Sequence, residues 1–322
     1  MTIRIGMIGY RNHAKRLINI IKNRNDCELA LIYYPFKLLD IPCATNDIRD
    51  LYTCDAVVIA SPNQTHFEYI MHLLNNFKGY IMCEKPPVNS IEDLEQLSAI
   101  SESNKERVFF NYNFRFSYLN SLFTNHIFQE KVGEIIHINI ISTHGLAFKT
   151  EYKNSWRANG NINLHAITET VAIHYIDLLN LHFGKVIKYF YTPTIVANTG
   201  TAFDTAHLSL EYKDKVTASI FVSYASPMIN EILVIGTSGF CTIRDNLIKF
   251  FFPRDTFDTK GFFINPPLEM EHSINRSEDY ECSLIKSFDF FIQHVHRKKK
   301  INTFYFDISL ASNYFVLETR KT

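Results

Sequence analysis

Short apolar runs recur through the first third of the chain, at Ile3–Ile8, Leu29–Tyr34, Ala56–Ala60, Tyr80–Cys83 and Val108–Tyr112, and their β-rich content predicts strands. Between them Ala14–Ile21, His66–Leu74 and Ile91–Ile100 carry helical spacing. The last begins with Asn89-Ser90 as a capping pair, places Glu92 and Asp93 in its first turn, and aligns Leu94, Leu97 and Ile100. Strands that alternate with helices imply parallel pairing, because each crossover must carry the chain back across the sheet. Residues 1–120 are therefore expected to form a doubly wound α/β domain with a parallel sheet.

The pattern then changes. Ile135–Ser142 reads as a long strand, and Leu164–Phe183 as one long helix ended by Gly184. From Val186 onward strand signals dominate. Ala206–Tyr212 and Val216–Tyr224 flank the turn Lys213-Asp214-Lys215, while Ile232–Ile235 and Phe240–Ile243 flank Gly236-Thr237-Ser238-Gly239, so two hairpins are predicted. Helices near Asp279–His296 and Ile308–Thr319 close the chain. Residues 121–322 are expected to form an α+β domain with a large, mostly antiparallel open sheet covered by helices on one face. There is no internal repeat and no low-complexity linker.

Composition narrows the function. Lys plus Arg and Asp plus Glu are each 33, so no net charge favours nucleic acid or an acidic membrane surface. A hydrophobic fraction of 46% with 20% charged residues suits a chain that buries large cores. No run reaches the roughly 18 apolar residues a membrane span needs. The six cysteines (Cys27, Cys43, Cys54, Cys83, Cys241 and Cys282) include no Cys-x-x-Cys pair, which argues against a metal cluster and for a reduced, cytoplasmic protein. The N-terminus lacks the long apolar region of a signal peptide.

The first strand runs into Gly9-Tyr10-Arg11-Asn12-His13-Ala14 and then a helix. This is the order of a dinucleotide fingerprint, G-x-G-x-x-G/A, in which glycines permit the tight turn and close approach of a pyrophosphate. Gly9 and Ala14 fit the first and third positions. Arg11 departs from the second, where it either obstructs the phosphates or pairs with them. The second strand ends in Tyr33-Tyr34-Pro35, without the acidic residue that holds ribose hydroxyls, and Lys37 is a weak candidate for the cation of an NADP site. Gly9, Arg11, Asn12, His13 and Ala14 are the cofactor candidates of this turn, and NAD and NADP both stay open.

Further motifs follow in order: Ser61-Pro62-Asn63-Gln64-Thr65-His66, Glu84-Lys85-Pro86, Asn113-Phe114-Arg115-Phe116, Gly133-Glu134-Ile135, Trp156-Arg157, and His174-Tyr175-Ile176-Asp177 ahead of Phe183-Gly184. In this order the chain resembles the Gfo/Idh/MocA family of NAD(P)-dependent oxidoreductases along nearly its whole length. The resemblance implies a Rossmann domain followed by an α/β domain whose open sheet serves oligomerisation, giving a homo-oligomer. It implies hydride transfer between a nicotinamide and a carbinol carbon of a sugar, inositol or related polyol. By that resemblance Ser61, Pro62, Asn63 and His66 line the cofactor, Glu84 lies near the nicotinamide ribose, and Lys85 reaches the substrate as proton donor or acceptor. A lysine suits that task when its surroundings lower its pKa from about 10.4 toward the working pH.

His174 is the second catalytic candidate. The family places an aspartate one helical turn earlier; here that position is Thr170, which hydrogen-bonds but cannot balance an imidazolium. Glu169 faces about a quarter-turn away and substitutes only if the helix is shifted. Asn113 and Arg157 are substrate candidates alongside Thr170, Arg115 is a cleft-shaping residue, and Asp177 reads as structural. Arg11, the missing acid and Thr170 also support a rival reading, a family member that has lost turnover and senses a ligand or binds a partner.

Overall fold

A computed structural model of the chain describes residues 2–11, 13–36 and 39–321. The chain forms two compact units: residues 1–113 with 284–317, and residues 114–283 with 318–322. The first crossing falls at Asn113 rather than residue 120, and the chain returns to its first unit at Leu284.

In the first unit the strands β1 (Ile3–Ile8), β2 (Cys27–Tyr33), β3 (Ala44–Thr45), β4 (Ala56–Ile59), β5 (Tyr80–Glu84) and β6 (Val108–Asn111) form a sheet of order β3-β2-β1-β4-β5-β6. All pairs are parallel. Helices α1 (His13–Lys22), α2 (His66–Asn76) and α3 (Ile91–Ser98) are among the connections. Helix α1 buries Ala14, Leu17, Ile18 and Ile21, the face its spacing predicts. Ser90 caps α3 by accepting from the Asp93 amide at 3.1 Å. Strand β4 is buried along its whole length, as the inner strand of a sheet covered on both faces must be. The strand order reverses between β1 and β4, and ligands bind in open α/β sheets at the carboxyl ends flanking such a reversal.

The second unit carries eight strands: β7 (Ile135–Thr143), β8 (Lys188–Thr194), β9 (Thr205–Glu211), β10 (Thr217–Ser223), β11 (Ile229–Gly236), β12 (Phe240–Arg244), β13 (Leu247–Phe251) and β14 (Leu268–Ser273). Their order is β14-β13-β12-β11-β7-β10-β9-β8, antiparallel except for the β7–β10 pair. Both predicted hairpins form, with Asp214 and Lys215 at positive φ in the first. Alternation along β9 and β10 buries Ala206, Leu208, Leu210, Ala218, Ile220 and Val222 on one face. No helix among the described residues is long and apolar enough to cross a membrane.

The expected single helix Leu164–Phe183 is a correction. Thr168–Ala172 form a π turn, and the regular helix runs from Ile173 to Phe183, ending at Gly184 with φ 81°. The Thr170 hydroxyl bonds the Ala166 carbonyl at 2.5 Å, while Glu169 turns to Arg320, whose Nε and Nη2 approach its Oε1 at 2.8 and 2.5 Å. Asn163 donates to the other Glu169 oxygen at 2.5 Å.

Candidate active site

In the first unit the site begins at Gly9, which leaves β1 at φ 107°. A Cβ there would lie 2.6 Å from the Ala60 carbonyl oxygen at the end of β4, so only glycine fits both the dihedral and the space. The Arg11 side chain is exposed and its guanidinium sits 5.9 Å from the centre of the Tyr34 ring, held outward over the end of β2. Ala14 is buried beneath the turn, which lets α1 pack closely on the sheet. Asn12 and Lys37 lie outside the described residues.

Glu84, the last residue of β5, is the polar centre of this region. His13 Nε2 donates to its Oε1 at 2.9 Å, and Asn111 Nδ2 donates to the same oxygen at 2.6 Å. Ser287 donates to Asn111 Oδ1 at 2.6 Å, which fixes the amide so that its NH2 faces Glu84. Among the described residues no side chain or backbone group donates to Glu84 Oε2. Burial works to raise the Glu84 carboxyl, but the His13 charge, the two donated hydrogen bonds and neighbouring Lys85 outweigh it and hold the group below the usual carboxylate range. His13 moves the opposite way, raised chiefly by the Glu84 charge. Lys85 follows Glu84 at the end of β5, partly exposed, and a cis peptide joins it to Pro86.

His66 is fully buried, with Nδ1 2.8 Å from the Pro86 carbonyl and Nε2 3.0 Å from the Ser61 carbonyl. A neutral imidazole has one N–H, so it donates to one of these carbonyls at a time, and the ring lies between the Ser61 loop and the Lys85-Pro86 turn. Burial dominates and holds its pKa below the ordinary value, so His66 is neutral at pH 7. Pro62 is exposed and Asn63 partly so, while the Ser61 hydroxyl bonds Thr65 Oγ1 at 2.7 Å.

The second unit holds the other candidates. His174 stacks on Phe114 with ring centres 4.6 Å apart, and Phe114 meets Tyr175 edge-on at 5.3 Å. Thr170 hydrogen-bonds the Tyr224 hydroxyl, whose ring packs beside His144 and Tyr152 at 5.0 and 6.0 Å. Burial pushes the Tyr224 phenol up, opposed by the Thr170 hydrogen bond and by Arg157, so it stays protonated. The Arg157 guanidinium lies 4.6 Å over the Trp156 ring. Arg115 makes a two-point ion pair with Asp177, Nε to Oδ2 at 2.8 Å and Nη2 to Oδ1 at 2.6 Å, with the two side chains 1% and 0% exposed. Asn113, at the end of the first unit, is 2% exposed.

Within the first unit the structure gathers Gly9, Ser61, His66 and Glu84 at the carboxyl ends of β1, β4 and β5, with His13 reaching Glu84 from the start of α1. Asn111 and Ser287 were not anticipated; an amide inside the apolar run Val108–Tyr112 is the one local signal for the first. Tyr224 and Arg320 were missed because each arrives from a distant segment.

The family described as "Oxidoreductase family, NAD-binding Rossmann fold" matches residues 3–112, and the GFO/IDH/MocA C-terminal domain matches residues 125–242. Glucose-6-phosphate 3-dehydrogenase of Bacillus subtilis is 26% identical over 185 residues, 53% of this chain and 51% of that protein, so the match spans about half the length of this curated relative. An oxidoreductase from Agrobacterium radiobacter, solved in complex with NAD+, L-tartaric acid and magnesium, superposes with a TM-score of 0.77 at 17% identity over 97% of this chain and 94% of that one. A myo-inositol dehydrogenase from Corynebacterium glutamicum superposes at 0.72 with 18% identity, again over 97% and 94%. At these identities the structural likeness establishes the fold.

Proposed function

The chain belongs to the GFO/IDH/MocA oxidoreductase family, and from that premise we propose that it transfers a hydride between NAD or NADP and a carbinol carbon of a sugar-like or polyol substrate. The observation that carries this reading is the Glu84 carboxylate beside the Gly9 turn. Among the described residues two donors hold its Oε1 and none holds Oε2, which we assign to a ribose hydroxyl. The Gly9 turn, bare of a Cβ and followed by the start of α1, suits a pyrophosphate. Arg11, drawn over Tyr34, leaves that approach open. The residues present therefore fit a dinucleotide, held by Gly9, Ala14, Ser61, Pro62, Asn63 and Glu84.

When bound, the nicotinamide supplies the hydride chemistry. The chain's own part is the proton. Lys85 takes the hydroxyl proton at Nζ on oxidation and returns it on reduction, from the strand-end position at which open α/β sheets bind ligands. His174 assists, its ring plane set by Phe114. Asn113 and Arg157 bind substrate hydroxyls, and Thr170 completes that face. The sugar-phosphate activity of the Bacillus relative supports the substrate class. We assign the open face of the eight-stranded sheet, on which Phe190 is exposed opposite Ser209, to homo-oligomer contacts.

Thermal-shift titration with NAD+, NADH, NADP+ and NADPH tests the cofactor, since a ligand bound only by the folded state raises its stability. Lys85→Ala should then abolish turnover on a panel of sugars, sugar phosphates and inositols while binding persists. One observation favours the rival, a non-catalytic ligand sensor: the Thr170 hydroxyl stands where the family has a carboxylate, and it is bonded to Ala166 and Tyr224. No shift with any of the four nucleotides, together with no turnover, would select that rival.

A further inference from the structure

We propose that His13 is a positioning residue for Glu84, and that its protonation state sets how tightly the nicotinamide cofactor is held. The inference rests on the cofactor reading above and deepens it. Among the described residues Glu84 takes two hydrogen bonds, both on one oxygen, and the two donors differ in kind. Asn111 is locked by Ser287 and keeps its proton at every pH. His13 is the titratable member. It is the first residue of α1, where a positive charge opposes the helix dipole and is tolerated because Glu84 faces it. The carboxylate is 12% exposed and the imidazole 32%, so the pair is screened less than an open surface bridge.

The chemistry follows from charge. With His13 protonated, the pair is neutral and Oε2 is presented in a fixed direction. With His13 neutral, Glu84 keeps a full negative charge beside the turn that must receive a pyrophosphate, and the hydrogen bond holding it weakens. Lys85 and Arg16 also face His13 and oppose its protonation, but the Glu84 charge outweighs them and raises the imidazole above its ordinary value. Glu84 is held low and stays ionised, and buried His66 is already neutral, so neither changes charge above pH 6.5. Lys15 sits over the Tyr10 ring and Arg11 over Tyr34, both turned elsewhere. Cofactor binding is therefore strongest below the raised His13 pKa and weakens as pH climbs through it.

The test is titration of NADH and NADPH by nucleotide fluorescence between pH 6 and 8.5, on the full chain and on His13→Gln and His13→Leu. Glutamine keeps a donor for Glu84 without a titrating charge. Wild type should weaken about tenfold across the range, which corresponds to about 1.4 kcal/mol. His13→Gln should give a flat profile, and His13→Leu should bind about tenfold more weakly than wild type at pH 6. Circular dichroism of each variant confirms folding, and the glutamine form carries the test should the leucine form fail. A wild-type profile matching that of His13→Gln overturns the inference while leaving the cofactor reading intact. Absence of binding to wild type at every pH overturns both.

Discussion

Converting Asp177 to Asn keeps the shape of the Arg115 partner and removes its charge. The pair is doubly hydrogen-bonded at 2.8 and 2.6 Å with almost no exposure on either side. Solvent cannot replace the lost charge, and a guanidinium remains buried without its counterion. Breaking a buried pair from one side costs about 3–5 kcal/mol, so Asp177→Asn and Arg115→Met should each fall in that range. Arg115→Met/Asp177→Leu removes both charges together and should recover most of the loss. The only tryptophan, Trp156, lies in the second unit and reports its unfolding by fluorescence in urea. With a slope of about 2 kcal/mol per molar, each single substitution lowers the midpoint by about 2 M. Phe114 is adjacent to Arg115 and carries the His174 ring, so the single variants should also lose turnover. A single substitution costing under about 1 kcal/mol, or a double variant as unstable as the summed singles, would refute the structural assignment and return Arg115 to the substrate cleft.

Other outcomes follow from the same structure. Arg320→Met deprives the Glu169 carboxylate, 1% exposed, of its guanidinium partner; the arginine is itself 28% exposed, so a loss of about 2 kcal/mol is expected, with Glu169→Gln/Arg320→Met less unstable than Arg320→Met in urea melts. Gly9→Ala places a methyl carbon 2.6 Å from the Ala60 oxygen at positive φ, and should cost about 1–3 kcal/mol in thermal melts and weaken nucleotide binding. His165 is buried against Tyr191 and burial depresses its pKa to about 4. The unfolded chain protonates first, so this stabilisation is complete above about pH 6.5 and declines as pH falls toward 4, by up to about 3 kcal/mol. Urea midpoints at pH 7.5 and 4.5 should show a smaller acid loss in His165→Asn than in wild type. Arg11→Gly should change nucleotide affinity by less than about threefold, given the outward guanidinium; a larger gain or loss in the same titration contradicts that placement.

Legibility in the sequence tracked how local the deciding interaction was. Ile3–Ile8 was readable to the residue because a buried parallel strand is written as a continuous apolar run. The Lys213–Lys215 turn was readable because short polar residues between two alternating runs leave few connections. The π turn was not, and the Arg320 partner of Glu169 within it comes from a segment remote in sequence. His66 was legible as part of a motif, yet its place between the Ser61 and Pro86 carbonyls is set by the fold and not by local sequence. The Glu84 network was half legible: Glu84 and His13 stood in recognisable motifs, whereas Asn111 and Ser287 meet only once the closing helix has come back to β6.

That return has a consequence for biosynthesis. Asn313 accepts from the Val88 amide, Ile301 bonds the Glu106 carbonyl, and Phe291 packs on Phe109. A ribosome that has delivered the first 113 residues has therefore made a sheet still missing part of its cover, and residues 114–283 emerge before that cover arrives. The nascent N-terminal segment must wait with apolar surface open, and a ribosome stalled before codon 284 would display a chaperone client rather than a finished nucleotide-binding unit.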